Sequence, residues 1–598
     1  MKRTDYIPPD TASSLPGLFQ HRCERSPDAI ACRQFDDKQQ LWQSFSWQQL
    51  NELVTNWRNA LATEQLDQGD KVAVMLRNCK EWLVFDIAAQ GLGLVTVPLY
   101  PNDRADNAAY ILQHSGAKLL LLEDASSQQD LLAHQEVKNL QRVLSLADVP
   151  APSPSANLVA LSDWIEASTE TASMLDIDAS ALATIVYTSG TTGSPKGVML
   201  SHNNILWNAW SGLHSVPVYP DDVFLSFLPL SHTLERTVGY YLPIMAGSTI
   251  CYARSIPQLA EDLVSIKPTV LISVPRIYER IYNRIQEQLE AKPALAKRLF
   301  QTAVDVGWDY FEFKQKRRHW HIRFLLQPLL NKLVGHKIQQ RIGGRLRVAI
   351  CGGAPLPAHV SKMFIALGLP ILQGYGLTET SPVLSVNQAA FNLPHSVGLP
   401  LQDVELDFSE EKELIVKSPG IMLGYWRDDE ATAKTIDQQG WLHTGDLAKQ
   451  DQQGYLHITG RLKDIIVMAN GEKVSPADME TAIAADKLID QVLVIGDGRP
   501  FLSALLVLSD EAWLQLASIA GVSEHAEISK TPVVEKQLLD RIQRCLHDFP
   551  SYAQIVRIAI SDYPWTIDNG LSTPTLKTKR QQILTLFAAD IDKLYEGH

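Results

Sequence analysis

The segment YTSGTTGSPKGVMLSH, residues 187–202, concentrates groups that can bind phosphate. It contains three glycines, and from Thr188 to Ser194 it carries five serine or threonine hydroxyls, followed by Lys196. Glycines let backbone N–H groups approach a ligand closely, hydroxyls donate further hydrogen bonds, and a lysine ammonium adds positive charge. A polyphosphate has many oxygens that need donors at once. The segment therefore predicts a polyphosphate-binding loop.

This loop differs from the common nucleotide loop, in which Gly-Lys-Ser/Thr leads directly into a helix. Here Pro195 precedes Lys196 and Gly197 follows it. The flanking runs LATIVY and GVML are apolar and partly β-branched, so we expect the loop to join two strands. The alternative is a hairpin turn with an exposed lysine, and the density of donors favours the phosphate site.

Helix-like and strand-like segments alternate through the first third of the chain and again over residues 222–382. This alternation is typical of α/β folds with a largely parallel sheet. Short strands such as VELDF and GYLHITG begin at residue 404, and residues 464–598 have strands and helices of their own. The sequence predicts a multi-lobed α/β N-terminal domain, with two α/β sheets plus a small β lobe, and a smaller α+β C-terminal domain.

Composition limits the classes of function. The 598 residues carry a net charge of −13, which argues against nucleic-acid binding. The six cysteines lack CxxC spacing and are expected to be reduced cytoplasmic thiols. The N-terminus shows no secretory signal, and no apolar run reaches the length of about 18 residues that a transmembrane helix needs.

Four more motifs follow the loop along the chain: QGYGLTETSP at 373–382, WLHTGD at 441–446, GRLKDIIVMANGEKVSP at 460–476 and TPTLKTKR at 573–580. With residues 187–202, and in this order, they resemble the motifs of the adenylate-forming ligases. That superfamily includes acyl-CoA synthetases, firefly-type luciferases and peptide-synthetase adenylation domains. Two other segments, LPLSHTLER at 228–236 and VPRIYERIYNRI at 274–285, are similar to AMP-forming long-chain acyl-CoA synthetases in particular.

The resemblance implies a reaction and a domain layout. ATP would activate a long-chain fatty acid to an acyl adenylate with release of pyrophosphate, and CoA would then take the acyl group and release AMP. Residues 1–460 would form the adenylation domain and 464–598 a mobile C-terminal lid. Residues 461–463, including Lys463, would be the hinge, because one site must perform two reactions.

The resemblance also implies roles for individual residues. Lys577 would bridge the carboxylate and the α-phosphate, and His232 would orient the carboxylate or gate CoA at the mouth of the acyl site. Thr188 and Glu379 would hold Mg²⁺, and Gly471 would line the CoA channel. The residues implied for ATP binding are Thr188, Ser189, Gly190, Thr191, Thr192, Gly193, Lys196, Gly353, Ala354, Pro355, Gln373, Gly374, Tyr375, Gly376, Thr378, Asp446, Arg461 and Lys577.

Two alternatives remain open at this point. The first is a fatty-acyl-AMP ligase that passes the acyl group to a carrier protein. The second is a non-catalytic lipid- and nucleotide-binding relative, against which the joint presence of Lys196, Glu379, Asp446 and Lys577 argues. Neither the chain-length preference nor the oligomeric state follows from the sequence.

A helical stretch is expected at about residues 278–341. Within it, FKQKRRHWHIRF at 313–324 holds five basic residues, and a leucine stripe follows: Leu326, Leu329, Leu330, Leu333 and Val334. A basic segment beside an amphipathic helix predicts peripheral contact with a membrane. The alternative is a packed helical hairpin with a solvated basic face. We expect a cytoplasmic protein, with a peripheral position on the cytoplasmic membrane face as the further expectation.

Overall fold

The computed structural model describes residues 3–149, 155–168, 171–188, 194–521, 528, 531–573 and 577–596. Buried side chains of residues 7–431 form a large hydrophobic core, and a second core includes the helices of residues 275–366. A third core lies entirely within residues 466–558. The C-terminal part of the chain therefore has a core of its own.

One large sheet contains the two strands that flank the predicted phosphate loop. Its spatial order is Gly424–Tyr425, Lys196–Ser201, Leu182–Thr188, Val95–Pro98, Lys71–Met75, Ala117–Leu122, Arg142–Ser145 and Leu158–Ala160. From Leu182–Thr188 onwards all neighbouring strands run parallel. This arrangement follows from the helix–strand alternation, because an intervening helix returns the chain to the same end of the sheet.

The second large sheet has the order Leu399–Pro400, Val383–Val386, Ile371–Gly376, Val348–Cys351, Val270–Ser273, Val223–Ser226, Thr249–Tyr252, Ile30–Asp36 and Leu41–Ser46. Its central strands are parallel, and antiparallel strands lie at both edges. The carboxyl ends of parallel strands meet at one edge of such a sheet, where ligands of α/β proteins bind. Gln373 and Cys351 are paired near this edge.

Helices surround these sheets. Two of them begin with a capping box, in which Ser46 starts Trp47–Thr63 and Ser201 starts His202–Ser215. The other α-helices before residue 300 are Pro9–Ala12, Leu15–Arg25, Lys80–Gln90, Ala105–Ser115, Gln129–Ala133, Gln135–Lys138, Leu161–Glu166, Leu242–Ala246, Leu259–Ile266, Pro275–Glu290 and Ala294–Lys314. A buried π-helix, Glu235–Tyr241, directly follows residues 232–234. A short 3₁₀ helix lies at Ala125–Gln128.

A small antiparallel lobe follows, with strands Glu405–Phe408, Glu413–Lys417, Leu442–Gln450 and Leu456–Arg461. The C-terminal part has a three-stranded sheet, Ile489–Ile495, Leu502–Leu508 and Ile555–Ser561, and a two-stranded one, Ile466–Val467 and Lys473–Val474. The helices of residues 358–435 are Ala358–Ala366 and Asp429–Thr435. Those of the C-terminal part are Pro476–Ile483, Asp510–Ala520, Pro532–Cys545, Arg580–Leu586 and Ala588–Lys593. The predicted fold class is confirmed.

The expected helical stretch at 278–341 is not continuous. Pro293 separates Pro275–Glu290 from Ala294–Lys314, because proline cannot continue a helix but caps the next one. Beyond Lys316, whose φ is +59°, the chain has no helix until Ile322. It then forms one helical run of four consecutive pieces: 3₁₀ Ile322–Leu326, α Gln327–Leu330, π Asn331–Gly335 and α His336–Arg341. The predicted leucine stripe lies on this helical run, with Leu330 buried, Val334 half-buried, and Leu326, Leu329 and Leu333 exposed.

All six cysteines are free thiols, as predicted. Five are buried, and burial raises the pKa of Cys23 to about 12. Cys545 is partly exposed. In the described part of the chain, every helix is too short or too polar to span a bilayer.

Candidate active site

The phosphate-loop segment is held by a strand pair. Strands Leu182–Thr188 and Lys196–Ser201 are antiparallel, and Thr188 is opposite Lys196. Lys196 is exposed, with its Nζ 3.8 Å from Asp428 Oδ2 and 4.9 Å from the centre of the Tyr425 ring. The ammonium is therefore accessible to a ligand. Five predicted phosphate-binding residues lie outside the described residues: Ser189, Gly190, Thr191, Thr192 and Gly193.

Asp446 is the centre of a second polar group. It lies in strand Leu442–Gln450 directly opposite Arg461, which ends strand Leu456–Arg461. Arg461 Nε donates to Asp446 Oδ1 at 2.8 Å, and the Tyr375 hydroxyl donates to Oδ2 at 2.6 Å. Burial, and then the charge of Asp446, raise the pKa of Tyr375 far above its ordinary value, so the phenol stays a donor. A carboxylate can accept about four hydrogen bonds, so Asp446 can still accept from hydroxyls of a ligand.

Tyr375 lies in strand Ile371–Gly376, which also contains Gln373, Gly374 and Gly376. The side chain of Gln373 binds protein backbone, accepting from Leu356 N and donating to the Pro394 carbonyl. The preceding bend, which contains Gly353, Ala354 and Pro355, is exposed, and Gly353 has a φ of +82° that favours glycine. In this structure Gln373 supports that bend.

Glu379 and Thr378 lie in a single 3₁₀ turn, Thr378–Thr380. The Tyr425 hydroxyl donates to Glu379 Oε1 at 2.8 Å, and the Tyr425 ring also faces Lys196. Tyr425 thus links the second nucleotide motif to the phosphate loop. No local pattern in the sequence marks this tyrosine, because it reaches Glu379 only when strand Gly424–Tyr425 pairs with Lys196–Ser201.

A metal site was predicted at Thr188 and Glu379. In the part of the chain that the structure describes, no three His, Cys, Asp or Glu side chains come together as a ready metal site. Mg²⁺ bound together with substrate phosphates needs only one or two protein oxygens and keeps several waters. Thr188 offers a hydroxyl, and Glu379 has a second carboxylate oxygen beside the one that accepts from Tyr425. These hard oxygen donors fit Mg²⁺.

Lys577, on the C-terminal part of the chain, lies near these polar groups, and we call the space that they border the cleft. Burial, and then the charge of Arg461, lower the pKa of its ammonium, while Asp446 and Glu379 oppose the shift. The Lys577 residue is exposed, yet protein surrounds its ammonium closely enough to desolvate it. The charges of Arg461, Asp446 and Glu379 all act on the Lys577 ammonium, so these four groups lie near one another.

His232 borders that cleft. Its Nδ1 accepts from the backbone N–H of Leu234 at 3.2 Å, so the neutral ring carries its proton on Nε2. Burial, followed by the charge of Lys577, lowers the pKa of His232 to about 4. At neutral pH the imidazole is therefore an uncharged donor. The preceding loop is fixed because Asn78 binds the Leu228 carbonyl and the Leu230 N–H.

The residue pair behind His232 was not predicted. Arg236 is fully buried and binds Asp86 at 2.5 Å, and it also donates to Thr96 and Thr184. Thr96 and Thr184 belong to neighbouring strands of the sheet that holds the phosphate loop. Arg236 thereby ties the His232 segment to that sheet. Its neighbour Glu235 is buried as well, and no hydrogen bond to its carboxyl oxygens is found among the described residues.

The remaining predicted residues lie at the start of the C-terminal part. Lys463 is exposed in the 3₁₀ turn Leu462–Asp464, directly after Arg461. Gly471 is also exposed, with a φ of +84°, and a Cβ added there would meet nothing within 4 Å. Glycine is favoured here by the backbone conformation and not by crowding. In this arrangement Gly471 does not contact the cleft residues.

Comparisons with known proteins assign the chain to a family. The family model described as "AMP-binding enzyme" matches residues 19–426, and the model described as "AMP-binding enzyme C-terminal domain" matches residues 463–598. The chain belongs to the AMP-binding enzyme family. The predicted resemblance to adenylate-forming ligases is confirmed.

Two known proteins are similar to this one along nearly the whole chain. The chain is 30% identical to a long-chain-fatty-acid–CoA ligase, FadD15 of Mycobacterium bovis, over 97% of this chain and 96% of that protein. It is 29% identical to the chloroplastic long-chain-fatty-acid–[acyl-carrier-protein] ligase AEE15 of Arabidopsis thaliana, over 97% of this chain and 86% of that one. Among solved structures, the adenylation domain of a carboxylate reductase from Mycobacterium chelonae has a TM-score of 0.77 at 21% identity, covering 99% of this chain and 94% of that one. This last likeness concerns the fold.

Proposed function

We propose that this protein is a long-chain fatty acid–CoA ligase that forms AMP. The fatty acid carboxylate attacks the α-phosphorus of ATP, the bond to the bridging oxygen breaks, and pyrophosphate leaves. The thiol of CoA then attacks the acyl carbonyl, gives up its proton, and expels AMP. The observation that carries this proposal is the convergence of Lys577, His232, Glu379 and Asp446 on one cleft.

The first half-reaction brings two anions together, so the site must supply positive charge and fixed donors where charge develops. We assign Lys577 to the carboxylate and α-phosphate and Lys196 to the outer phosphates. His232, neutral with its proton on Nε2, can donate a hydrogen bond to a carboxylate oxygen. Asp446, held by Tyr375 and Arg461, is assigned to the ribose hydroxyls.

Thr188 and Glu379 would hold Mg²⁺, which neutralises phosphate charge when it is bound. The bend at 353–355 and the strand containing Gly374 and Tyr375 would border the adenine. Glu379→Gln should raise the Mg²⁺ concentration needed for half-maximal activity, whereas Glu410→Gln, at an exposed site, should not. An unchanged Mg²⁺ dependence would remove Glu379 from the metal site.

For the second half-reaction we propose that residues 464–598 turn about Lys463, so that Lys577 leaves the cleft and the loop with Gly471 reaches the CoA path. The exposed, turn-forming backbone at Leu462–Asp464 supports this proposal. Residues 1–460 would form the other domain. The effect of Asp446 and Glu379 on Lys577 supports assigning this structure to the arrangement proposed for adenylation.

The acceptor thiol has a second candidate, since the relative AEE15 is named as a ligase of acyl-carrier protein. Purified protein should form AMP from ATP with carboxylates of graded chain length, and acyl-CoA should appear when CoA is added. Acyl transfer to carrier protein with no acyl-CoA would favour the second candidate. Absence of ATP–pyrophosphate exchange with every carboxylate would overturn the proposal.

We also propose a cytoplasmic location with peripheral contact to a membrane. The six thiols, none in a disulfide, support the compartment. Long-chain fatty acids partition into bilayers, so an enzyme that sits on a membrane meets its substrate there. The segment after residue 312, which is basic and contains no Asp or Glu before Glu379, supports the membrane contact.

A further inference from the structure

One surface concentrates exposed apolar side chains. Within 14 residues lie six of them, each between 43% and 70% exposed: Trp320, Ile322, Leu325, Leu326, Leu329 and Leu333. We name these six the 320–333 face. Large apolar side chains scattered singly over a surface are ordinary, whereas a contiguous group marks a surface that another molecule covers. The 320–333 face is such a group.

The 320–333 face is firmly held by the body of the protein. Between its members, Phe324 turns inward, with its ring 5.7 Å from Tyr310 and 5.4 Å from Phe313, and Leu330 is buried in the second core. The supporting helix Ala294–Lys314 packs tightly at Gly307, where a Cβ would lie 2.0 Å from the Ala366 carbonyl oxygen. The apolar side chains are therefore presented outward by packing beneath them, not by an irregular loop.

The segment of chain that carries the 320–333 face has charged residues of one sign. Residues 313–378 contain no Asp or Glu, although the whole chain has a net charge of −13. The basic residues are not equivalent. Arg317 forms two hydrogen bonds with Glu312, and Arg318 binds Asp309. Both arginines are therefore paired with acids near the end of helix Ala294–Lys314.

Four other cations around the face are exposed, and within the described ranges none of them forms an ion pair: Lys316, Arg323, Lys332 and Lys337. Exposed lysines and arginines that flank an apolar surface attract anionic lipid headgroups, and their effect weakens as salt rises. A second copy of the chain is a poorer occupant, because a symmetric contact would bring two positive segments together.

We propose that the 320–333 face docks on an anionic lipid surface. The apolar side chains enter the headgroup region, and Lys316, Arg323, Lys332 and Lys337 bind lipid phosphates. This inference rests on the membrane contact proposed above, and it identifies the surface and its main attraction. Because the two paired arginines are engaged within the protein, the apolar side chains carry most of the binding.

The test is sedimentation with vesicles of phosphatidylcholine, alone and mixed with phosphatidylglycerol, at low and high salt. The double variant Leu325→Gln/Leu329→Gln should bind mixed vesicles at least tenfold more weakly at both salt concentrations. Lys316→Gln/Lys332→Gln should bind more weakly at low salt only. The controls are Leu514→Gln, where the leucine is 77% exposed on a C-terminal helix, and Lys536→Gln. Both controls should bind like the wild type.

The outcomes separate the surface from the enzyme. If wild-type protein binds no vesicles, the membrane contact is wrong; if it binds and the 320–333 variants bind equally well, the assigned face is wrong. A change in solution mass of the leucine variant without a change in vesicle binding would favour a second copy as the occupant. Binding to purified acyl-carrier protein that only these variants lose would favour an acidic protein. Activity on a short, soluble fatty acid is measured separately, and its absence would count against the proposed function alone.

Discussion

Replacement of Glu235 by glutamine should remove a large part of the pH dependence of stability between pH 5.5 and 7.5. Glu235 begins the buried π-helix Glu235–Tyr241, and its carboxyl group packs against Gly239, where an added Cβ would lie 2.6 Å from Oε1. No hydrogen bond to either carboxyl oxygen is found among the described residues. The nearby Ser226 hydroxyl acts to lower the pKa of Glu235, against the larger effect of burial. Burial raises the pKa of Glu235 from 4.5 to about 8.

The sign of the effect follows from the protons bound in each state. Below pH 4.5 both the folded and the unfolded chain carry this proton, so its contribution to stability is fully present. Between pH 4.5 and 8 only the folded state keeps the proton, so stability falls as pH rises until it levels off above the folded-state pKa. Each pH unit corresponds to about 1.4 kcal/mol. From pH 5.5 to 7.5, the wild type should therefore lose about 3 kcal/mol that Glu235→Gln does not lose.

The measurement is urea unfolding at pH 5.5, 6.5 and 7.5, followed by tryptophan fluorescence. Eleven of the 13 tryptophans precede residue 461, so the signal reports mainly on the domain that contains Glu235. Glu410→Gln, at an exposed glutamate, is the matched control and should keep the wild-type pH dependence. If Glu235→Gln and the wild type lose stability in parallel over this range, the buried, protonated state of Glu235 is wrong.

Three further predictions concern the site and its support. Lys577→Ala should slow adenylation about 10²–10³-fold, the scale of losing one preorganised donor, while thioester formation from preformed acyl adenylate persists; equal losses would contradict the assignment, and Lys536→Ala is the control. Asp446→Asn should raise KM for ATP with little change in KM for the fatty acid, and an unaltered KM for ATP would exclude Asp446 from the nucleotide site. Asp86→Ala should lower the free energy of unfolding by about 3–5 kcal/mol, because Arg236 is left buried and unpaired; a wild-type urea midpoint would show that the pair contributes little.

The parts of the fold that local patterns determine were predictable from the sequence. The strands on either side of residues 189–193 were expected from their apolar, β-branched runs, and they pair as a hairpin. The C-terminal strands and the small β lobe followed from similar runs. The long helical stretch was predicted wrongly as one unit, because helical periodicity alone does not show where Pro293 and the turn at Lys316 interrupt it.

The contacts that build the site were less accessible to prediction. Asp446 and Arg461 were expected together, but the Tyr375 hydroxyl reaches Asp446 across 71 positions, and Tyr425 reaches Glu379 across 46. Such contacts depend on which strands pair, and composition or periodicity within one segment does not specify that. The pairing of Arg317 with Glu312 was missed for a different reason, since a basic run gives no sign of which members are engaged.

The burial of the native thiols makes the proposed domain movement open to direct observation. Thiol reagents modify accessible thiolates, and the five buried cysteines offer none. After the single change Cys545→Ser, cysteines introduced at exposed positions such as Leu41 and Leu514 would be the only ready targets for fluorescent dyes. Resonance energy transfer between two such dyes could then follow the C-terminal part relative to the sheets as ATP, fatty acid and CoA are added in turn.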